Sequence, residues 1–285
     1  MGDREKTSVK TAPHSNAMSA WPDIACQRGH GEHLYKLTEV RLGGQSGYHD
    51  YPPVPARFAR DFDMFVFEWR EYGDGPYCPG HDAVSETIDL LGIWEPPETI
   101  MALTVFETAR PGSAFIDLGA QIGWYSLLAA SYGHEAISVD ADPEPLRLLA
   151  DSAKRNGWDS LVHPWQLRLG PDMSPLPAAE YHLAKLDLEG AEFDGIRVLR
   201  PSLKAGLISH VLMECSPVFA PGYGELVESV MALGYVAYTL PPKAIPPHRL
   251  KDPERDLTRL TGDVAGTVNA WHQESVWLRR EDASW

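Results

Sequence analysis

Cysteine is scarce in this chain. Its three cysteines (Cys26, Cys78 and Cys215) in 285 residues cannot all pair and do not make the disulfide framework of a secreted scaffold. Positive charge is also short, with 25 Lys and Arg against 40 Asp and Glu, for a formal net charge of −15. Polyanion binding is carried mainly by Lys and Arg neutralising phosphates, so this balance disfavours a nucleic-acid partner and leaves room only for a local basic groove. No apolar run approaches the roughly 18 residues needed to span a bilayer. The polar stretch MGDREKTSVKTAPHSN has no apolar centre of the kind a signal peptide needs, and Lys6 stands where an N-myristoylation pattern wants Ser or Thr. The expectation is a cytoplasmic protein without membrane contact. What is present is the 44% hydrophobic content of an ordinary globular chain, enough for one large domain or two small ones.

Residues 1–20 are polar and aperiodic and read as a disordered tail. Residues 21–81 are rich in Gly, Pro, His and aromatics. Only Phe62–Trp69 has a strong strand signal there, so the region reads as an irregular N-terminal extension packed on the main domain. Cys26, His30 and His33, and separately Cys78 and His81, are zinc-type ligand residues, but their spacing matches no strong signature and no metal is assigned. The main domain is expected over 82–285, with a Pro-rich charged insertion at 241–262 that either borders a substrate entrance or is a surface excursion.

The most informative segment is FIDLGAQIGWYSLLAA at 115–130. A short buried strand, Ala114–Leu118, runs through a glycine turn into an apolar helix, and such a turn brings backbone N–H groups close to a ligand. Its spacing is D-x-G-x-x-x-G, not the G-x-G-x-x-G of dinucleotide sites. An acid before the first glycine suits a ligand with an amino group, such as the methionine half of S-adenosylmethionine. Around it, strands at Ala136–Val139, Val162–Leu169, His182–Leu188, Ile208–Glu214, Val236–Leu240 and Val276–Arg279 alternate with helices at 96–109, 122–132, 143–156, 191–199 and 223–233. That alternation predicts an α/β fold with a doubly wound, mostly parallel sheet covered by helices on both faces. Asp117, Asp140 and Asp187 all fall at predicted strand ends, where ligands bind in such sheets.

The blocks DLGAQIGWYSL, SVDADPEPLRLL, KLDLEGAEFDGI and MEC together resemble the FkbM-type methyltransferases over roughly residues 95–240. The KLDLEGAE block is the more specific part. Gln121 departs from the asparagine the family commonly carries. The resemblance implies a class I, Rossmann-like, seven-stranded sheet with an antiparallel last strand, and S-adenosylmethionine as cofactor. By that resemblance Asp117 would hold the methionine amine, directly or through water. Gly119, Gln121 and Gly123 would form the turn against the cofactor, and Asp140 would accept the ribose hydroxyls. Glu95 stands where the family often has an acid entering the cofactor site. Each also has a structural role available: Asp117 as a helix cap, Asp140 as a turn residue, and Trp94, Trp124 and Tyr125 as core instead of pocket wall.

Methyl transfer to a hydroxyl needs positioning and removal of a proton. Asp187 and Glu189 sit at the end of the fourth strand of the main domain and Glu214 ends the fifth. They are the candidate base or acceptor-positioning acids, Asp187 and Glu189 ahead of Glu214. The three could also hold Mg²⁺ through oxygen ligands, although paired acids equally position hydroxyls. Glu192 reads as a first-turn helix acid. The expected activity is O-methylation of a small molecule or sugar-containing (glycan-type) metabolite. An N-methyltransferase acting on a peptide or small amine, or a non-catalytic protein that kept the fold, are the alternatives. The sequence carries no signal for oligomeric state.

Overall fold

A computed structural model describes residues 35–42, 58–68, 82–240 and 257–284. The expected tail, the Cys26/His30/His33 and Cys78/His81 sets and most of the Pro-rich insertion lie outside the described residues. Strands β1 (Tyr35–Leu42) and β2 (Arg60–Phe67) pair antiparallel. Then come α1 (Ala83–Leu91), α2 (Pro96–Thr108), β3 (Ala114–Leu118), α3 (Trp124–Ser131), β4 (Glu135–Asp140), α4 (Pro143–Arg155) and β5 (Val162–Gln166). The second half runs β6 (Tyr181–Leu186), α5 (Glu192–Lys204), β7 (Ile208–Cys215), α6 (Tyr223–Met231), β8 (Tyr235–Thr239), β9 (Thr258–Arg259), α7 (Val264–Asn269) and β10 (Glu274–Arg280).

The main sheet has the order β5-β4-β3-β6-β7-β10-β8-β9. Strands β5, β4, β3, β6 and β7 are parallel, and β10 runs antiparallel between β7 and β8. The expected seven strands are thus present. An eighth, the two-residue β9, joins the edge at β8 and lies within the stretch read as insertion. Two apolar cores flank the sheet. One packs α2, α3, α4 and the β1–β2 pair, with residues such as Phe106, Phe115, Leu149 and Met64. The other packs α5, α6 and α7, with Ile196, Val227 and Val268 against Ile116 and Met213.

The helix ends follow local chemistry. Asp82 caps α1 by accepting the Ser85 N–H at 3.0 Å, and Gly92 ends it in the left-handed region. Asp142 caps α4, with Pro143 in its first turn and Lys154 and Arg155 in its last.

The N-terminal strands are more regular than expected. The β2 edge facing the domain is satisfied by side chains: the N–H groups of Asp63, Phe65 and Phe67 donate to Asn156 Oδ1, Ser152 Oγ and Ser85 Oγ at 2.9, 2.9 and 3.0 Å. Asn156 returns a bond to the Asp63 carbonyl at 2.6 Å. Side chains of α4 and α1 therefore do the work of a neighbouring strand, which answers the liability of an open edge. Among the described residues no helix is long and apolar enough to cross a membrane.

Candidate functional site

The chain runs β3, β4, β5 outward and returns to place β6 on the other side of β3, so the order reverses between β3 and β6. Beyond the carboxyl ends of these strands lies a cavity of about 410 Å³, in the size range of small-ligand sites. Its walls come from the start of α1 (Asp82–Val84), the residues before α2 (Trp94, Glu95), the turn Gly119–Gln121 and the first turn of α3 (Trp124, Tyr125). Asp140 of β4, Lys185, Asp187 and Glu189 from the end of β6, Glu214 of β7 and Gln273 complete it. Among the described residues the non-glycine residues with positive φ are Glu95 (+41°), Gln121 (+49°) and Glu189 (+51°). All three are on this cavity. Left-handed backbone at L residues persists only where the surroundings impose it, and it gathers at functional sites.

Of the residues given cofactor roles, Glu95, Gly119, Gln121 and Asp140 line the cavity, whereas Asp117 and Gly123 do not. Gly123 lies in the α3 cap with φ +85°, and a Cβ there would meet the Leu149 side chain at 2.1 Å, so its smallness serves packing of α3 on α4. Gly119 lines the cavity for a related reason. A Cβ on it would sit 1.7 Å from the Asp187 carbonyl oxygen, so its bareness lets the turn and the β6 loop close on each other. Asp117 is fully buried beneath the turn. Its Oδ2 accepts the Ser126 hydroxyl at 2.7 Å, and Ser126 in turn accepts from Ser138 at 2.7 Å. Oδ1 has no partner among the described residues, and burial pushes the carboxyl up to about 7. The left-handed backbone at 121 is one that Asn adopts more readily than most residues; Gln121 is held in it by its own amide, whose Oε1 accepts the Ile122 N–H at 2.6 Å and whose Nε2 donates to Asp82 at 3.0 Å.

Asp140 closes the turn from the next strand. Its Oδ2 accepts the Gln121 N–H at 2.8 Å and its Oδ1 the Asp142 N–H at 2.9 Å. A carboxylate offers about four lone-pair sites, so it retains acceptor capacity toward the cavity. Burial raises its pKa despite those bonds.

The acids after β6 fall beyond the strand, not on it. β6 ends at Leu186, the Asp187 N–H bonds to the Leu118 carbonyl at 3.0 Å, and Glu189 lies in the following turn, exposed. Glu192 holds this turn from below. It is buried and accepts the N–H groups of Leu188 (2.6 Å) and Gly190 (3.1 Å) and the Tyr223 hydroxyl. It is a brace for the loop more than a dipole partner. Asp187, Glu189 and Glu214 do converge, with one oxygen of each within 4.8 Å of the others. That spacing would suit a divalent cation, but one member is already paired with Lys185, and no ion is assigned to it.

Lys185 was not singled out by the sequence reading, although it opens the KLDLEGAE block. It pairs in register with Asp117 across β3 and β6. Its Nζ lies 2.8 Å from Asp187 Oδ2 and 4.8 Å from the centre of the Tyr125 ring, with 6% of the side chain exposed. Burial works against this ammonium, but Asp187, Glu95 and Asp117 outweigh it and hold its pKa above that of an ordinary lysine. The remaining acids feel their confinement. Burial raises Glu95, which accepts the Tyr125 hydroxyl at 2.8 Å, and burial next to Glu95 raises Glu98 to about 8. Burial and the nearby Asp187 raise Glu214 to about 7, even though Gln273 Nε2 (2.6 Å) and the Ser216 hydroxyl (3.1 Å) both donate to it.

An acid-lined crevice at the switch point of such a sheet suits a ligand with cationic and hydroxyl groups. The chain has a Rossmann-like α/β fold. No known protein family and no curated protein matches the sequence. Among solved structures it is similar to a TehB-like SAM-dependent methyltransferase from Corynebacterium glutamicum, with 13% identity, 70% of this chain and 90% of that chain covered, and a TM-score of 0.40. It is likewise similar to a SAM-dependent methyltransferase from Agrobacterium tumefaciens (12% identity, 84% and 72% covered, TM-score 0.42). A third is the T. thermophilus 16S rRNA N2 G1207 methyltransferase, solved with AdoMet and guanosine (10% identity, 87% and 51% covered, TM-score 0.44).

Proposed function

We propose that the protein is an S-adenosylmethionine-dependent methyltransferase of the FkbM type that methylates a hydroxyl of a small molecule or sugar-containing metabolite. The observation that carries this reading is the cavity at the β3/β6 reversal, with Asp140 bound to the Gln121 N–H and the strained residues 95, 121 and 189 on its walls. The residues fit the cofactor: Asp117 Oδ1 is a buried acceptor without a partner among the described residues, suited to an ammonium reached through water, and Asp140 keeps acceptor capacity for hydroxyls. When bound, S-adenosylmethionine supplies an electrophilic methyl group on a sulfonium.

The chain's own task is to orient the acceptor and take its proton. Asp187 is fixed by Lys185 through Oδ2, leaving Oδ1 to position a hydroxyl. Glu214, raised to about 7, has the proton affinity of a general base working near neutral pH. This reverses the order in which the sequence ranked the two. Glu189, exposed on the rim, guides the acceptor. Among the described residues Lys185 is the one basic residue on these walls, beside six acids, and this balance favours a neutral or cationic acceptor over a phosphate-rich one.

Calorimetric titration with S-adenosylhomocysteine, the product of any such transfer, tests the reading. Micromolar binding that Asp140→Ala weakens at least tenfold is expected, followed by turnover on a panel of hydroxylated acceptors. No binding at millimolar ligand would overturn it. Turnover on amines alone would move the acceptor atom from oxygen to nitrogen.

A further inference from the structure

The wall contributed by α1 comes from outside the alternating α/β sequence, and one residue ties it to the glycine turn. Asp82 commits its two carboxylate oxygens to different neighbours. Oδ2 accepts the Ser85 N–H at 3.0 Å and the Ser85 hydroxyl, forming the N-cap of α1. Oδ1 accepts Gln121 Nε2 at 3.0 Å. Gln121 is strained, with φ at +49°, and such a conformation survives only when its surroundings fix it. Three bonds do so. The Gln121 N–H donates to Asp140 Oδ2 at 2.8 Å, its Oε1 accepts the Ile122 N–H at 2.6 Å, and its Nε2 is held by Asp82. Two of these are internal to the turn and its neighbouring strand. The third arrives from the N-terminal side of the chain.

We propose that Asp82 is a positioning residue of the cofactor cavity: by accepting the Gln121 amide it holds the glycine turn, and through the turn the Asp140 carboxylate, in the geometry that binds the cofactor. This inference rests on the reading of the cavity as the S-adenosylmethionine site. Behind Asp82 the linkage continues outward. Ser85 Oγ accepts the Phe67 N–H at 3.0 Å, and Asp89 of α1 binds Lys36 Nζ at 2.6 Å and the Thr38 hydroxyl at 2.8 Å on β1. The β1–β2 pair and α1 are thus a buttress, and Asp82 is the point where the buttress meets the ligand-binding turn.

The test separates the two jobs of Asp82. Asp82→Ser keeps a good N-cap for α1, but the shorter side chain does not reach Gln121. Asp82→Ser, Gln121→Ala and the double variant are titrated with S-adenosylhomocysteine as full chains, and thermal midpoints are recorded alongside. Each single variant is expected to bind about tenfold more weakly, the scale of losing one hydrogen bond to a charged acceptor. The double variant is expected to bind no more weakly than the worse single, because both substitutions remove the same link. The Asp82→Ser midpoint is expected to fall no further than that of Gln121→Ala, which loses the same bond with the helix cap intact. Parent-like affinity in Asp82→Ser, or losses that multiply in the double variant, would overturn the proposal. So would an Asp82→Ser midpoint well below that of Gln121→Ala, since the affinity loss would then report the helix cap. Failure of the parent itself to bind would instead remove the cofactor reading on which this one stands.

Discussion

Replacing Asp117 with asparagine should stabilise the ligand-free protein at alkaline pH while weakening its ligand binding. Asp117 is 1% exposed, one of its oxygens has no partner, and its pKa rises from 3.8 to about 7, with burial the main cause. A rise of that size amounts to about 4 kcal/mol against the ionised form. The unfolded chain releases this proton near pH 3.8 and the folded chain near pH 7, so folding takes up a proton in between. The stabilising contribution is therefore complete below about pH 4 and lost as pH rises through about 7. Asparagine carries no charge to desolvate, but an amide N–H left without an acceptor gives back about 1–3 kcal/mol. The expected net gain for Asp117→Asn is about 2 kcal/mol near pH 8, vanishing or reversing near pH 4. Urea unfolding of parent and variant at the two pH values measures it, and the difference between the two proteins cancels the other titrating groups. A variant no more stable than the parent at the higher pH would refute the reasoning, as would an advantage independent of pH. S-adenosylhomocysteine affinity should move the other way, falling in the variant, which would mark the burial as a cost accepted for binding.

Two further substitutions probe the same crevice. Lys185→Met should destabilise the protein by about 3–5 kcal/mol in urea unfolding, because it strips the counter-charge from Asp187, Glu95 and Asp117; a loss below about 1 kcal/mol, the worth of a surface pair, would show that solvent screens the cluster. Gly119→Ala should lower the thermal midpoint and abolish S-adenosylhomocysteine binding, since its Cβ would be driven into the Asp187 carbonyl at 1.7 Å; intact binding would show that the β6 loop moves freely.

Much of this arrangement could be read from residue order, and the exceptions share a cause. The apolar runs from Pro96 to Leu240, broken by Gly, Pro and Asp at their ends, located the strands and helices of the main domain to within about five residues, even where an element such as β3 or α3 is buried on every side. Strand β1 gave little signal because its pattern is inverted in places: Thr38 points inward while Leu37 is 43% exposed. Helix α1 is short and was not among the expected helices, and its capping residues Asp82 and Gly92 are the signal that could have found it. At the site, the acids at strand ends were visible, but which way each one points was not. Asp117 turns under the sheet to Ser126, whereas Asp140 turns to the cavity, and the two look alike in sequence. The demand for glycine at 119 comes from a carbonyl at 187, which no local spacing encodes. Lys185 had a signal that could have been used, a lysine amid apolar residues of a buried strand, since such a charge persists only beside partners.

The position of β10 has a consequence for how the molecule is made. Although last in chain order among the described strands, it is interior in the sheet, lying between β7 and β8. During synthesis, β8 is complete at Thr239 while β10 begins only at Glu274. At ~5–20 residues per second, this leaves on the order of a few seconds in which β7 and β8 have no common partner and both show open edges. Glu214 lies on β7 opposite Ser275 and takes a hydrogen bond from Gln273, so the acceptor end of the crevice also waits for that insertion. The nascent chain therefore completes the glycine turn at 119–123 early and the Gln273 partner of Glu214 late.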